Sequence, residues 1–76
     1  MEITDFVLHF AEQFEDTPAE EFKPETNFRD LGEWNSLNAL SIIAMIDEVY
    51  EKQLSGDELR SVNTIEELFN LVKSKL

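Results

Sequence analysis

Seventy-six residues allow one domain with a small core, since a chain this short buries only about 60–65% of the surface that its unfolded form exposes. Six basic residues stand against seventeen acidic ones; the resulting formal charge of −11 repels nucleic-acid phosphates and anionic membranes and favours partners with basic patches. No cysteine is present, which excludes disulfides and thiolate metal sites, while 42% hydrophobic content with six Phe separates the chain from a disordered acidic tail. The N-terminus is acidic and lacks the apolar stretch of a secretory signal. No run approaches the roughly 18 apolar residues of a membrane span, so a cytoplasmic monomer is expected.

In chain order, Ile3, Phe6, Val7, Phe10 and Phe14 recur at helical spacing and predict an amphipathic helix over 2–15, with Glu2 and Asp5 near the positive end of its dipole. His9 lies at the flank of that stripe and reads as a partly exposed helix residue rather than a metal ligand or a base. Residues 15–35 form a long connection, in which Phe22, Phe28, Leu31 and Trp34 are expected to plug the open side of a helical core. Thr17-Pro18-Ala19-Glu20 offers an N-cap, a Pro at the first helical position and a Glu two further on, which predicts a short helical turn. Pro24 and Gly32 keep the rest non-helical. Trp34 reads as packing, with recognition beside Ser36 as the alternative.

The stretch Gly32-Glu33-Trp34-Asn35-Ser36-Leu37 ends that loop and opens a helix expected over 36–51. Asn35 is a good N-cap, and Ser36 falls in the first turn, where free amides and the helix dipole favour an attached phosphate. On this helix Ala39, Ile42, Ile43, Ile46, Val49 and Tyr50 form the expected core stripe. Leu37, Leu40 and Ala44 fall on a different side, next to Ser36 and flanked by Ser41, Asp47 and Glu48, and read as a docking face. Ser55-Gly56-Asp57-Glu58 and Thr64-Ile65-Glu66-Glu67 are both capping boxes. The first starts a short helix with Leu59 and Val62 as its apolar contacts. The second starts a longer one with Ile65, Leu68, Phe69, Val72 and Leu76 in one stripe and Lys73 and Lys75 near its negative end. The sum is an all-α, small four-helix bundle with three longer helices, a short third helix and a long first loop, forming a single domain over 1–76.

Enzymatic readings fail on their parts. A serine hydrolase needs a base near Ser36, and the one imidazole, His9, belongs to another helix; no Gly-x-Ser-x-Gly elbow exists. Asp30-Leu31-Gly32-Glu33-Trp34-Asn35 does not follow the ligand order of an EF-hand, and there is neither a phosphate-binding loop nor a Cys/His ligand set.

The segment Phe28-Arg29-Asp30-Leu31-Gly32-Glu33-Trp34-Asn35-Ser36-Leu37 resembles the acyl carrier protein family, whose motif is of the Gly-x-Asp-Ser-Leu type after a Phe-x-x-Leu-Gly-like approach. Length, acidity and helical pattern extend the resemblance over nearly the whole chain. Asn35 stands where the family usually has Asp, a change that keeps the cap and removes a charge.

The resemblance implies a non-enzymatic carrier with 4′-phosphopantetheine joined to Ser36, donated from coenzyme A and holding acyl or aminoacyl groups as thioesters. It implies as partners a phosphopantetheinyl transferase, an acyl- or aminoacyl-loading ligase, and acyl-transfer or synthase enzymes with basic patches. Asn35, Leu37, Leu40, Ser41, Ala44, Asp47 and Glu48 would meet them, with Glu33 as a further acidic contact. Phe6, Phe28, Ile46, Ile65, Leu68 and Phe69 are candidates for the wall of an acyl cavity, ordinary core being the other reading. Fatty acid, polyketide, lipid-modifying and amino-acid-loading pathways all use such a carrier; Asn35 and Ser41, where many members are acidic, point to a specialised system. The alternative is an unmodified acidic helical module that binds a protein through the same helix.

Overall fold

The phenylalanines organise the interior: all six are buried, and three of them form a ring network around Phe10. Its centroid lies 5.5 Å from those of Phe14 and Phe28 and 6.1 Å from that of Phe22, while Phe6 packs against Phe69 at 5.5 Å and Tyr50 at 5.6 Å. Tilted and offset pairs of this kind contribute about 0.5–1.5 kcal/mol each beyond their buried area.

The computed structural model describes residues 2–76. Four α-helices carry the core: α1 (Ile3–Ala11), α2 (Ser36–Tyr50), α3 (Gly56–Arg60) and α4 (Ile65–Ser74). Two 3-10 turns, Ala19–Glu21 and Phe28–Asp30, lie in the loop between α1 and α2. No strand occurs among the described residues; one isolated antiparallel bridge joins Asn27 to Thr64. The expected all-α bundle, with its short third helix and long first loop, is the observed architecture.

Helix α1 is shorter than its apolar spacing predicts. It ends at Ala11, and the chain then tightens, with Gln13 N donating to Phe10 O at 3.1 Å and Phe14 N to Ala11 O at 3.0 Å. Phe14 still reaches the core, so apolar periodicity runs on past the helix itself. The turn near Pro18 forms over Ala19–Glu21, one residue later than expected, so that Pro18 holds the cap position and offers no side-chain cap, while the Thr17 hydroxyl donates to Glu33. The turn at Phe28–Asp30 was not expected; Asn27 caps it by accepting from Arg29 N at 3.1 Å.

The first loop is stitched to the α3–α4 joint. Phe28 N donates to Asn63 O at 3.1 Å, while Ile65 N and Glu66 N, at the start of α4, donate to Thr26 O at 3.1 Å and Pro24 O at 2.8 Å. Arg29 adds a strap: its guanidinium donates to Leu59 O at 2.9 Å and to Val62 O at 3.0 and 3.1 Å. Loop carbonyls thereby satisfy amides that a helix start leaves without intrahelical partners.

Both capping boxes form as expected, with Ser55 and Glu58, then Thr64 and Glu67, bonding reciprocally. Leu76 departs from its stripe: α4 ends at Ser74, and Leu76 is 60% exposed. Lys75 instead ties the end of α4 to α3 through Glu58 Oε2 at 2.6 Å. On α2 the buried face is turned toward Asn38 and Met45, together with Ile42 and Ile46. Ala39, Ile43 and Tyr50 are partly buried, and Val49, placed in the core by its spacing, is 45% exposed in the last turn. Glu51 then stops the helix in a left-handed conformation, φ 56°.

Candidate functional site

Helix α2 begins where Asn35 takes over the amides of its first turn. Asn35 Oδ1 accepts from Leu37 N at 2.9 Å and Asn38 N at 3.0 Å, and its carbonyl accepts from Ala39 N at 3.1 Å. Ser36 follows as the first helical residue, exposed, with its hydroxyl in no hydrogen bond to the described residues. Because the cap is an asparagine side chain, the adjacent serine has no structural duty at the helix start.

Trp34 positions this start from the loop side. Half-buried, it packs on Phe28 at 4.8 Å and Phe14 at 6.3 Å, in agreement with the packing reading. Asn38, two residues past Ser36, is buried, and its Nδ2 donates to Gln13 O at 3.4 Å.

The outward side of α2 carries the residues expected there. Leu37 is 72% and Leu40 63% exposed, Asn35, Ala44, Asp47 and Glu48 are exposed, and Ser41 is partly so. Neither Asp47 nor Glu48 forms an ion pair among the described residues. Glu33 does not join this face. Its carboxylate turns toward the chain that leaves α1 and accepts from Glu15 N at 2.9 Å, Asp16 N at 3.1 Å and the Thr17 hydroxyl at 2.7 Å. The Thr17 bond first, then the backbone amides, hold its pKa below the usual glutamate value against the opposing effect of desolvation. A residue read as a contact for partner cations is thus committed within the fold.

His9 is likewise occupied: its Nδ1 lies 2.9 Å from the Tyr50 hydroxyl, a bond between α1 and α2 well away from Ser36 in the chain. Burial, with the Asp5 charge as a smaller contribution, raises the Tyr50 pKa. Tyr50 ends the helix that Ser36 begins, roughly 20 Å away at about 1.5 Å per residue, so this pair is not placed to act as a base on Ser36.

Beside Ser36 lies a groove of about 460 Å³ between α2 and α3 that sequence reading missed. Ala39, Leu40 and Ile43 form one wall, Gly56, Leu59 and Arg60 the other, and Trp34 and Arg29 close one end. The signal for it was the pair Ala39 and Ile43, assigned to the core stripe although a short α3 can cover them only in part. The six residues named as acyl-cavity candidates sit elsewhere. Phe6, Phe28, Ile46, Ile65 and Leu68 are fully buried and Phe69 nearly so, and none of them lines this groove.

A phosphodiester arm suits these surroundings. Asn35 already holds two first-turn amides, so an anion on Ser36 meets the dipole of a fifteen-residue helix more than a ring of open donors. The chain's two arginines, Arg29 and Arg60, both line the adjoining groove, whose apolar walls fit an uncharged chain. The described residues hold no cluster of His, Asp or Glu suited to a metal ion, and no helix is long and apolar enough to cross a membrane.

A search of curated proteins found no match to the chain, and a search of solved structures found none. One family model, described as the phosphopantetheine attachment site, matches residues 5–72, from the first turn of α1 to the last turn of α4. With nearly the whole chain inside that match, the protein belongs to the phosphopantetheine attachment site family, whose members carry 4′-phosphopantetheine covalently on a serine.

Proposed function

We propose that Ser36 is the attachment serine and that the protein carries acyl or aminoacyl groups between enzymes. The observation that carries this reading is the exposed Ser36 hydroxyl, unused by the fold, at the start of α2 and at the mouth of the α2–α3 groove. The bound arm supplies a terminal thiol that holds its cargo as a thioester, chemistry that a chain without cysteine cannot supply itself.

The protein's own residues present and orient. Asn35 builds the helix start, Trp34 fixes the approach, and the hydroxyl accepts a phosphoryl group once a partner's base removes its proton. In that step Ser36 Oγ gains a P–O bond as the pyrophosphate of coenzyme A breaks and adenosine 3′,5′-bisphosphate leaves. Arg29, held to the Leu59 and Val62 carbonyls, and Arg60, paired with Asp57, line the same groove and lend it positive charge. Leu37, Leu40 and Ala44 offer apolar contact to partner enzymes, and Asp47 and Glu48 attract their basic patches. The groove, and not the core held by Phe6, Phe28, Ile46, Ile65, Leu68 and Phe69, is the cargo's path, because opening the core would separate rings in direct contact.

Intact mass after incubation with coenzyme A, magnesium and a panel of phosphopantetheinyl transferases tests the assignment. One added arm in the wild type and none in Ser36→Ala is the expected result. An arm on another residue, or none with any transferase, overturns it, and the second outcome returns the reading to an unmodified interaction module.

A further inference from the structure

One stretch of chain, residues 13–17, grips the start of α2 along its whole approach. Asn38 Nδ2 donates to Gln13 O, the Trp34 ring stacks on Phe14, and Glu33 accepts from Glu15 N, Asp16 N and the Thr17 hydroxyl. Residues 38, 34 and 33 thus meet 13, 14 and 15–17 in antiparallel order, and Asn35 and Ser36 lie between the gripping positions. At the outer end Glu33 does all of the gripping, with both carboxylate oxygens engaged.

Its surroundings make this a specific arrangement. Asp16 and Glu21 line the same shallow depression as Glu33, Glu15 is next along the chain, and no lysine or arginine lines it. With no cation beside it among the described residues, what holds the Glu33 carboxylate is three neutral donors converging on it. A glutamate here contributes by holding the departing end of α1 against the entry of α2, between positions eighteen apart in the sequence.

We propose that Glu33 is a positioning residue for Ser36, fixing the approach segment so that the hydroxyl is presented in one arrangement to the enzyme that modifies it; this rests on the reading of Ser36 as the attachment site. Without the clamp, residues 15–17 lose their acceptor and the entry to α2 samples several arrangements. A partner that needs one of them then binds more weakly in proportion to the competent fraction, with the chemical step unchanged once bound. The outcome is a raised KM for the carrier at constant kcat, about three- to ten-fold for a competent fraction of about 0.1–0.3.

The test measures arm transfer by a phosphopantetheinyl transferase, with coenzyme A and magnesium, to the full chain and to Glu33→Gln, Thr17→Val and Thr17→Ser. Glu33→Gln is expected to raise KM several-fold with kcat held, Thr17→Val to raise it less, and Thr17→Ser, which keeps the hydroxyl, to restore it. Unchanged KM in both Glu33→Gln and Thr17→Val overturns the proposal. A second readout is independent of transfer. In the wild type, the Glu15, Asp16 and Ser36 amide resonances should titrate together, below the usual glutamate range, and this shared titration should vanish in Glu33→Gln. A Ser36 amide indifferent to Glu33 overturns the proposal even where KM changes. Absence of any arm on the wild type sinks the attachment reading alone, and the amide titration still decides whether Glu33 governs the α2 entry.

Discussion

The starts of α2 and α4 use the same small toolkit for opposite ends. At α4 the Thr64 hydroxyl accepts from Glu67 N at 3.1 Å, Glu67 Oε1 accepts from Thr64 N at 3.1 Å and Asn63 N at 2.7 Å, and the loop carbonyls of Thr26 and Pro24 take the remaining early amides. Every group there is closed within the fold. At α2 the cap is an asparagine, the hydroxyl residue comes one position later, and the residue three past the cap is the buried Asn38 rather than a glutamate. A hydroxyl at the cap position serves structure, whereas the same group one residue on is left for chemistry.

Exchanging the two roles should separate them. Ser36→Ala is expected to abolish arm addition outright while the unfolding free energy stays within about 0.5 kcal/mol of wild type, as for an exposed residue without partners. A large stability loss in denaturant melts would mean that Ser36 has a structural role after all. Next in size, Asp47→Lys with Glu48→Lys, on the outward face of α2, should slow transfer with partner enzymes by about ten-fold at low salt. The deficit should shrink as ionic strength rises; stopped-flow rates that ignore salt would remove the acidic face from the encounter.

Thr64→Ala makes the reverse case. It should cost about 1 kcal/mol in denaturant unfolding, the usual value of a lost N-cap, and leave arm transfer untouched. Transfer that falls in step with stability would erase the distinction between the two helix starts.

The smallest effect concerns acid. Glu33, Glu58 and Glu67 all have pKa values below the reference 4.5, through the Thr17 hydroxyl, the Lys75 ammonium and the Asn63 amide respectively as leading causes. Lowered folded values mean stability present above about 4.5 and lost as pH falls through those values. Protonation also relieves repulsion among seventeen acids, which acts the other way, so the informative quantity is a difference. Wild type should exceed Glu67→Gln in thermal midpoint at pH 7, and the gap should close as pH falls below the usual glutamate value. A gap independent of pH would show that the box at α4 does not depend on the carboxylate charge.

Local grammar made much of this protein legible in advance. Two capping boxes, an asparagine cap and 3.6-residue periodicity depend on residues within one or two turns of each other, so α2, α3 and α4 began where their sequences indicate. The exposed serine and the outward leucines of α2 followed from the same periodicity. What remained hidden involved partners far apart in the chain. Nothing near Arg29 in the sequence foretells its role as a strap, since Leu59 O and Val62 O lie about thirty residues on. Glu33 reads as a partner contact until the chain leaving α1 folds back onto it. Val49 and Leu76 fit their stripes but lie in or beyond a last helical turn, where a pattern cannot tell that the core has ended.

Sequence alone therefore determined which segments become helices, how they start, and that a serine stands at the head of the second, because these rest on short-range backbone chemistry. Only the tertiary structure decided that a groove opens beside that serine, which acids face outward, and where each apolar stripe stops. Those depend on how helices of unequal length meet, and no local spacing encodes the distance between elements that touch only after folding.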